Sequence, residues 1–169
     1  MRGLYAILDT VTLARRGLPL MGVAEAVIQA RPAAIQLRAK AETARETLAL
    51  LRELAPLCAR ASVPLFSNDR ADVALLAGCD GVHVGQGDLP VAAVRRIAPH
   101  LQVGLSTHDA AELEAAIQCA PDYLAVGPIF PTGSKDNASP VVGLERLSAL
   151  VAIARRARAC LLYTSPSPR

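Results

Sequence analysis

Gln36, Arg38 and Lys40 alternate along "QLRAK", so in an extended strand all three point to one face. A cation on the inward face of a buried strand is costly unless an anion meets it. Further along come Asn68-Asp69, Asp88 in "GQGDLP", Ser106 in "STH" and Lys135 in "PTGSK". Each of these follows an apolar run and precedes a helical one. Carboxylates favour an oxygen-loving ion such as Mg²⁺, and cations favour phosphate oxygens. Jointly the set describes a site for a diphosphate and Mg²⁺. Singly, each residue has a plainer reading. Asp69 suits the N-cap of "RADVALLAG", Asp88 the N-cap of the helix after "LP", and Ser106 and Thr107 are equally good caps. Lys135 reads as a solvated loop lysine, His83 as a packed core histidine and His100 as surface, while His108 is open.

The elements that must position these residues follow from the hydrophobic rhythm. Six strand-like runs are expected, starting at Leu4, Ala33, Val63, Gly81, Leu101 and Tyr123, with stretches of helical period between them. In "TARETLALLRELAPLCARA" the residues Leu48, Leu51, Leu54 and Cys58 share a face, and Thr43 and Glu46 have capping-box spacing. Leu113, Ala116, Ile117 and Ala120 form a second such face, and Leu144, Leu147, Val151 and Ala154 a third. Strands alternating with helices imply a parallel sheet, because parallel neighbours need a crossover. A dinucleotide-binding doubly wound sheet is excluded: the first turn reads "DTVTLARRG", and Gly85-Gln-Gly87 has Pro90 where a third glycine belongs. A (β/α)8 barrel instead gathers every loop that follows a strand onto one face, where active sites of that fold are built.

The 169 residues have the length of one domain, and 52% of them are apolar, enough for a real core. No tryptophan, two phenylalanines and three tyrosines leave little to stack nucleic-acid bases, and a net charge of +3 names no acidic partner. The four cysteines form no C-x-x-C pair and read as free thiols of a reducing compartment. "MRGLYAILD" enters a strand directly, and no apolar run reaches membrane-spanning length, so a cytoplasmic location is expected.

With those residues in hand, the chain resembles the thiamine phosphate synthase family from Leu4 to Ala159. The likeness rests on "QLRAK", "NDRADVAL", "DGVHVGQGDLP", "GLSTH" and "GPIFPTGSK…VVGLERL", in that order. It implies an α/β (β/α)8 TIM barrel and a reaction joining hydroxymethylpyrimidine diphosphate to thiazole phosphate, with release of pyrophosphate. It also implies roles. Gln36, Arg38 and Lys40 would hold the pyrimidine diphosphate with Asn68 beside them, Asp69 and Asp88 would carry Mg²⁺, and Ser106 would contact the pyrimidine. Lys135 would meet its diphosphate, and Thr132 and Ser134 the thiazole phosphate. Arg38, Lys40 and Lys135, with the metal, would neutralise the leaving group of a dissociative substitution, which needs no strong base or nucleophilic side chain. Ala39 stands where an acidic residue is common in the family, and Ser134 where a second threonine is common. The partners implied are small molecules, with no nucleic acid or membrane; a homo-oligomer is left open. The alternatives are a thiazole tautomerase-like relative, against which "NDR", "QGDLP" and "STH" argue, and a non-catalytic remnant.

The remnant reading turns on the C-terminus. The family continues with two more strands, and residues 160–169, "CLLYTSPSPR", carry Pro166 and Pro168, which a central strand excludes. That segment resembles the in-frame translation of a transposase sequencing adapter. The expectation is therefore an incomplete barrel over 1–159, of about six βα units with strands seven and eight missing, followed by a foreign tail. Such a chain is expected to be marginal and nearly inactive, because an unclosed barrel leaves open edges.

Overall fold

The computed structural model describes residues 3–131 and 140–163. Two compact units make up the chain, Met1–His83 with Ala93–Gln102, and Val84–Ala92 with Val103–Arg169.

The first unit opens with β1 (Tyr5–Asp9), then α1 (Thr10–Arg15) and α2 (Leu20–Gln29), before β2 (Ala34–Arg38). It continues with α3 (Ala44–Ala61), β3 (Leu65–Asn68), α4 (Ala71–Ala77) and β4 (Gly81–Val84, as far as His83), and α5 (Val91–Ile97, from Ala93 on) follows. Each strand runs parallel to its sequence neighbour, with Ile7 opposite Gln36, Gln36 opposite Phe66 and Phe66 opposite Gly81. β2 is buried almost throughout, as a parallel strand covered on both faces must be. α3 begins at the capping box read from the sequence: the Thr43 hydroxyl accepts from Glu46 N, and Glu46 Oε2 accepts from Thr43 N at 2.8 Å. It ends where Ser62 turns left-handed at φ 56°. Leu51, Leu54 and Cys58 are buried as expected, with Thr47 rather than Leu48 completing the inner stripe. At β4, Gly81 makes room for a neighbour: a Cβ there would lie 2.2 Å from the Phe66 ring.

The second unit holds β5 (Gln102–Thr107, from Val103 on), α6 (Ala110–Gln118), β6 (Tyr123–Val126), α7 (Gly143–Arg156) and β7 (Leu161–Tyr163). Again neighbours pair in parallel, Ser106 with Ala125 and Leu124 with Leu161. Gly104 does here what Gly81 does in the first unit, since a Cβ would meet the Tyr123 ring at 2.0 Å. Two expectations need correction. Among the described residues there are seven strands, not six: Leu161–Tyr163 lies ahead of both prolines, and its three apolar or aromatic residues pair with β6. α7 buries Leu150 and Ala154, whereas Leu144 is 64% exposed, so the inner stripe starts nearly two turns later than the periodicity suggests.

A repeated device pins the strand starts. Asp80, just before β4, accepts from Leu65 N at 2.8 Å through Oδ2 and donates its own N–H to Leu65 O at 2.9 Å. Asp122, just before β6, does the same with Val103, at 2.6 and 2.8 Å. No helix among the described residues is long and apolar enough to cross a membrane.

Candidate functional site

In the first unit the residues singled out at the C-terminal ends of β2 and β3 come together, joined by Asp9 from the end of β1. Asp9 faces Arg38 across the β1–β2 register, and its Oδ2 takes the Arg38 guanidinium in an ion pair whose side chains are 12% and 16% exposed. The other Asp9 oxygen accepts from Thr12 N at 2.7 Å and caps α1. Burial pushes the Asp9 carboxyl up, but the Thr12 and Arg38 hydrogen bonds outweigh it and leave the group below its ordinary value. Thr10 adds a further tie to the same rim, its hydroxyl proton shared between Glu42 Oε2 at 2.9 Å and Arg38 O at 3.3 Å.

One step along the strands, Gln36 is buried and engaged at both its oxygen and its nitrogen. Tyr5 OH donates to its Oε1 at 3.0 Å, and its Nε2 donates to Asn68 Oδ1 at 2.6 Å. Lys40 pairs with Asp69. The cations that the sequence placed on this face are thus met by carboxylates of the chain itself. Arg38 is mostly buried but has Asp9 as its partner, and Lys40 lies past the end of β2 and is half-exposed, so neither cation needs a ligand to explain its place.

Asp69 departs from its simplest reading. The residue at the N-cap of α4 is Arg70, which makes no side-chain cap bond, while Asp69 sits at φ 64° and turns its carboxylate to Lys40. A left-handed non-glycine backbone costs on the order of 1 kcal/mol or more and collects at functional sites. The turn is held by Asp69 N donating to His83 O at 2.7 Å and Arg70 N to Asn68 O at 2.8 Å.

The second unit carries its own rim. Asp88 Oδ2 accepts from Gly85 N at 2.7 Å and closes the turn after β4, where a cap had been expected. Gln86 Nε2 donates to Ser106 O at 2.6 Å. Neither Ser106 nor Thr107 caps α6: Asp109 does, accepting from Glu112 N, and buried Thr107 donates to Ala125 O. His108, left open by the sequence, is tied to Glu112 Oε2 through both N and Nδ1 at 2.8 Å. His100 is exposed as expected, and His83 is half-buried, less enclosed than its core reading implied. Thr132, Ser134 and Lys135 lie outside the described residues.

Sequence reasoning missed Tyr5, Asp9 and Thr10. The signal for Asp9 was available: it ends the first strand at the position in register with Arg38. No cluster of three or more His, Cys, Asp or Glu side chains fit to hold a metal occurs among the described residues. The donor types still suit Mg²⁺, which is commonly held by one or two carboxylates with substrate phosphates supplying further oxygens.

A family model described as thiamine monophosphate synthase matches residues 4–161. The chain is 44% identical over 134 residues to the thiamine-phosphate synthase of Laribacter hongkongensis, covering 79% of this chain and 63% of that protein. Against the Chloroflexus aurantiacus thiamine-phosphate synthase it is 42% identical over 147 residues, covering 87% and 67%. Against that of Koribacter versatilis the figures are 50% over 117 residues, with 69% and 55% covered. The chain therefore spans between 55% and 67% of the length of these curated relatives. Among solved structures, a thiamine phosphate pyrophosphorylase from Pyrococcus furiosus superposes with a TM-score of 0.76 at 28% identity, covering 95% of this chain and 85% of that one. A muconate cycloisomerase from Azorhizobium caulinodans, at 14% identity and a TM-score of 0.57, shares the fold alone.

Proposed function

The chain belongs to the thiamine monophosphate synthase family, and from that premise we propose that the protein joins a hydroxymethylpyrimidine diphosphate to a thiazole phosphate, releasing pyrophosphate. The observation that carries the reading is the first-unit rim, where Gln36, Arg38, Lys40, Asn68 and Asp69 are held by one another and by Tyr5 and Asp9. Arg38 and Lys40 bind the diphosphate, and Lys135, which follows β6 in sequence, adds a third cation. Gln36, Asn68 and Ser106 orient the pyrimidine, and Thr132 and Ser134 take the thiazole phosphate.

Asp69 and Asp88 are the residues that would hold Mg²⁺, which when bound supplies a positive charge for the leaving pyrophosphate. The chain's own contribution is electrostatic and positional. As the carbon–oxygen bond of the pyrimidine methylene lengthens, negative charge grows on the departing oxygens, and preorganised cations stabilise it without reorganising. The thiazole nitrogen then attacks the electron-poor methylene carbon. No residue needs to take a proton from the nucleophile, which fits the lack of a candidate triad in the sequence.

A finer part of the proposal is that the 169-residue chain by itself turns over slowly. A local feature supports it: Leu4 and Ile7 of the β1 region are 61% and 46% exposed, leaving apolar surface uncovered. The assignment is tested by pyrophosphate release with both substrates and Mg²⁺, comparing the chain with Lys135→Ala. A loss of on the order of 10²-fold is expected for removing one charge-stabilising group; unchanged release would remove Lys135 from the site.

A further inference from the structure

We propose that Asp9 is a positioning residue that aims the Arg38 guanidinium at the diphosphate, coupling the start of α1 to the anion site. The inference rests on the proposed function for its target and on geometry for the rest. Asp9 uses its two oxygens for two jobs: Oδ1 fixes Thr12 N at the first turn of α1, and Oδ2 fixes Arg38. An aspartate held at both oxygens cannot swing, so its guanidinium partner inherits a fixed direction. Thr10, the first residue of α1, shares its hydroxyl proton between Glu42 Oε2 and Arg38 O, so the backbone carrying Arg38 is also tied to the start of α1. Arg38 and Asp9 are both mostly buried, which keeps the pair from being screened away by water.

Simple electrostatics and positioning make opposite predictions here. Asp9 is an anion beside a site meant for an anion, so if it acts only through charge, neutralising it tightens phosphate binding. If it acts by aiming Arg38, neutralising it weakens binding, because the fork loses the partner that orients it. Asp9→Asn is nearly isosteric and keeps the helix cap, asparagine being as good an N-cap as aspartate. Asp9→Ser provides a second capping variant without the charge.

The experiment titrates the wild-type chain and both variants with inorganic pyrophosphate plus Mg²⁺ by calorimetry, and follows the Arg38 side-chain N–H signals by ¹⁵N NMR. Expected is a weakening of about tenfold in both variants, with the Arg38 signals changing from restricted to free rotation. Equal or tighter pyrophosphate binding in Asp9→Asn overturns the positioning role while leaving the proposed function standing. Arg38 signals that stay restricted in both variants overturn it equally. A wild-type chain that binds no pyrophosphate, with Arg38 still restricted, overturns the target and hence the proposed function, and shows the ion pair to be structural only.

Discussion

Asp69 combines a left-handed backbone, an ion pair with Lys40 and a place at the end of a parallel strand. Asparagine tolerates the left-handed region as aspartate does, so Asp69→Asn removes charge without adding strain. The pair with half-exposed Lys40 contributes little to stability, on the order of 1 kcal/mol at most. The thermal midpoint of Asp69→Asn is therefore expected close to wild type, while pyrophosphate release falls by on the order of 10²-fold. Melting curves and the release assay on the same preparation check both halves; a large loss of stability with activity retained would reverse the assignment. Asp9 gives a pH signature of its own. Its folded pKa lies below the ordinary value, so its contribution is present above the unfolded pKa and is lost as pH falls through the folded one. Asp72, lowered by its hydrogen bond with Arg70, adds in the same direction. The midpoint should hold steady down to about pH 5 and drop below about pH 4, with a shallower drop in Asp9→Asn. A midpoint that rises on acidification would contradict the lowered carboxylates.

At the scale of elements, what depends on neighbours in sequence was legible and what depends on register across strands was not. The capping box at Thr43 and Glu46 can be read from a spacing of three, and the structure forms it. The partners of Arg38 and Lys40 lie 29 residues away in each case, reachable only once β1, β2 and β3 are aligned. The same limit explains Asp69, whose capping propensity is local but whose carboxylate is claimed by another strand. The Gly81 and Gly104 gaps also escape a sequence reading, since each is shaped by an aromatic ring on the adjacent strand. Gly81→Ala would place a methyl against the Phe66 ring and 2.6 Å from Gln102 O, and is expected to destabilise by about 1–3 kcal/mol. The Asp80 clamp predicts a similar loss for Asp80→Ala, about 1–3 kcal/mol for leaving the buried Leu65 N–H without its acceptor. Urea melts of the two variants test these figures, and midpoints equal to wild type would mean the strand starts are held otherwise.

At the scale of the whole molecule, the order of strands was readable from β1 to β6 because the strands and the crossover helices between them carry their own periods. β7 was lost because the prolines that follow it dominated the reading of that segment. The cysteines report on whether the first unit forms as described. Burial, reinforced by the charge of Asp80, pushes the Cys58 thiol up to about 11 and the Cys79 thiol to about 12. Cys119 is exposed. A thiol reagent at neutral pH should therefore label Cys119 within minutes and reach Cys58 and Cys79 only after denaturation. Rapid labelling of Cys58 or Cys79 in the native chain would show the core to be loose.

A single-turnover experiment tests the joining reaction itself, even in a slow chain. Protein in excess is mixed with labelled hydroxymethylpyrimidine diphosphate, thiazole phosphate and Mg²⁺, and thiamine phosphate and pyrophosphate are followed together. Equal amounts of the two products, formed only when both substrates are present and lost in Asp69→Asn, are the predicted result. A folded chain that consumes no pyrimidine diphosphate, or that releases pyrophosphate without forming thiamine phosphate, would contradict it.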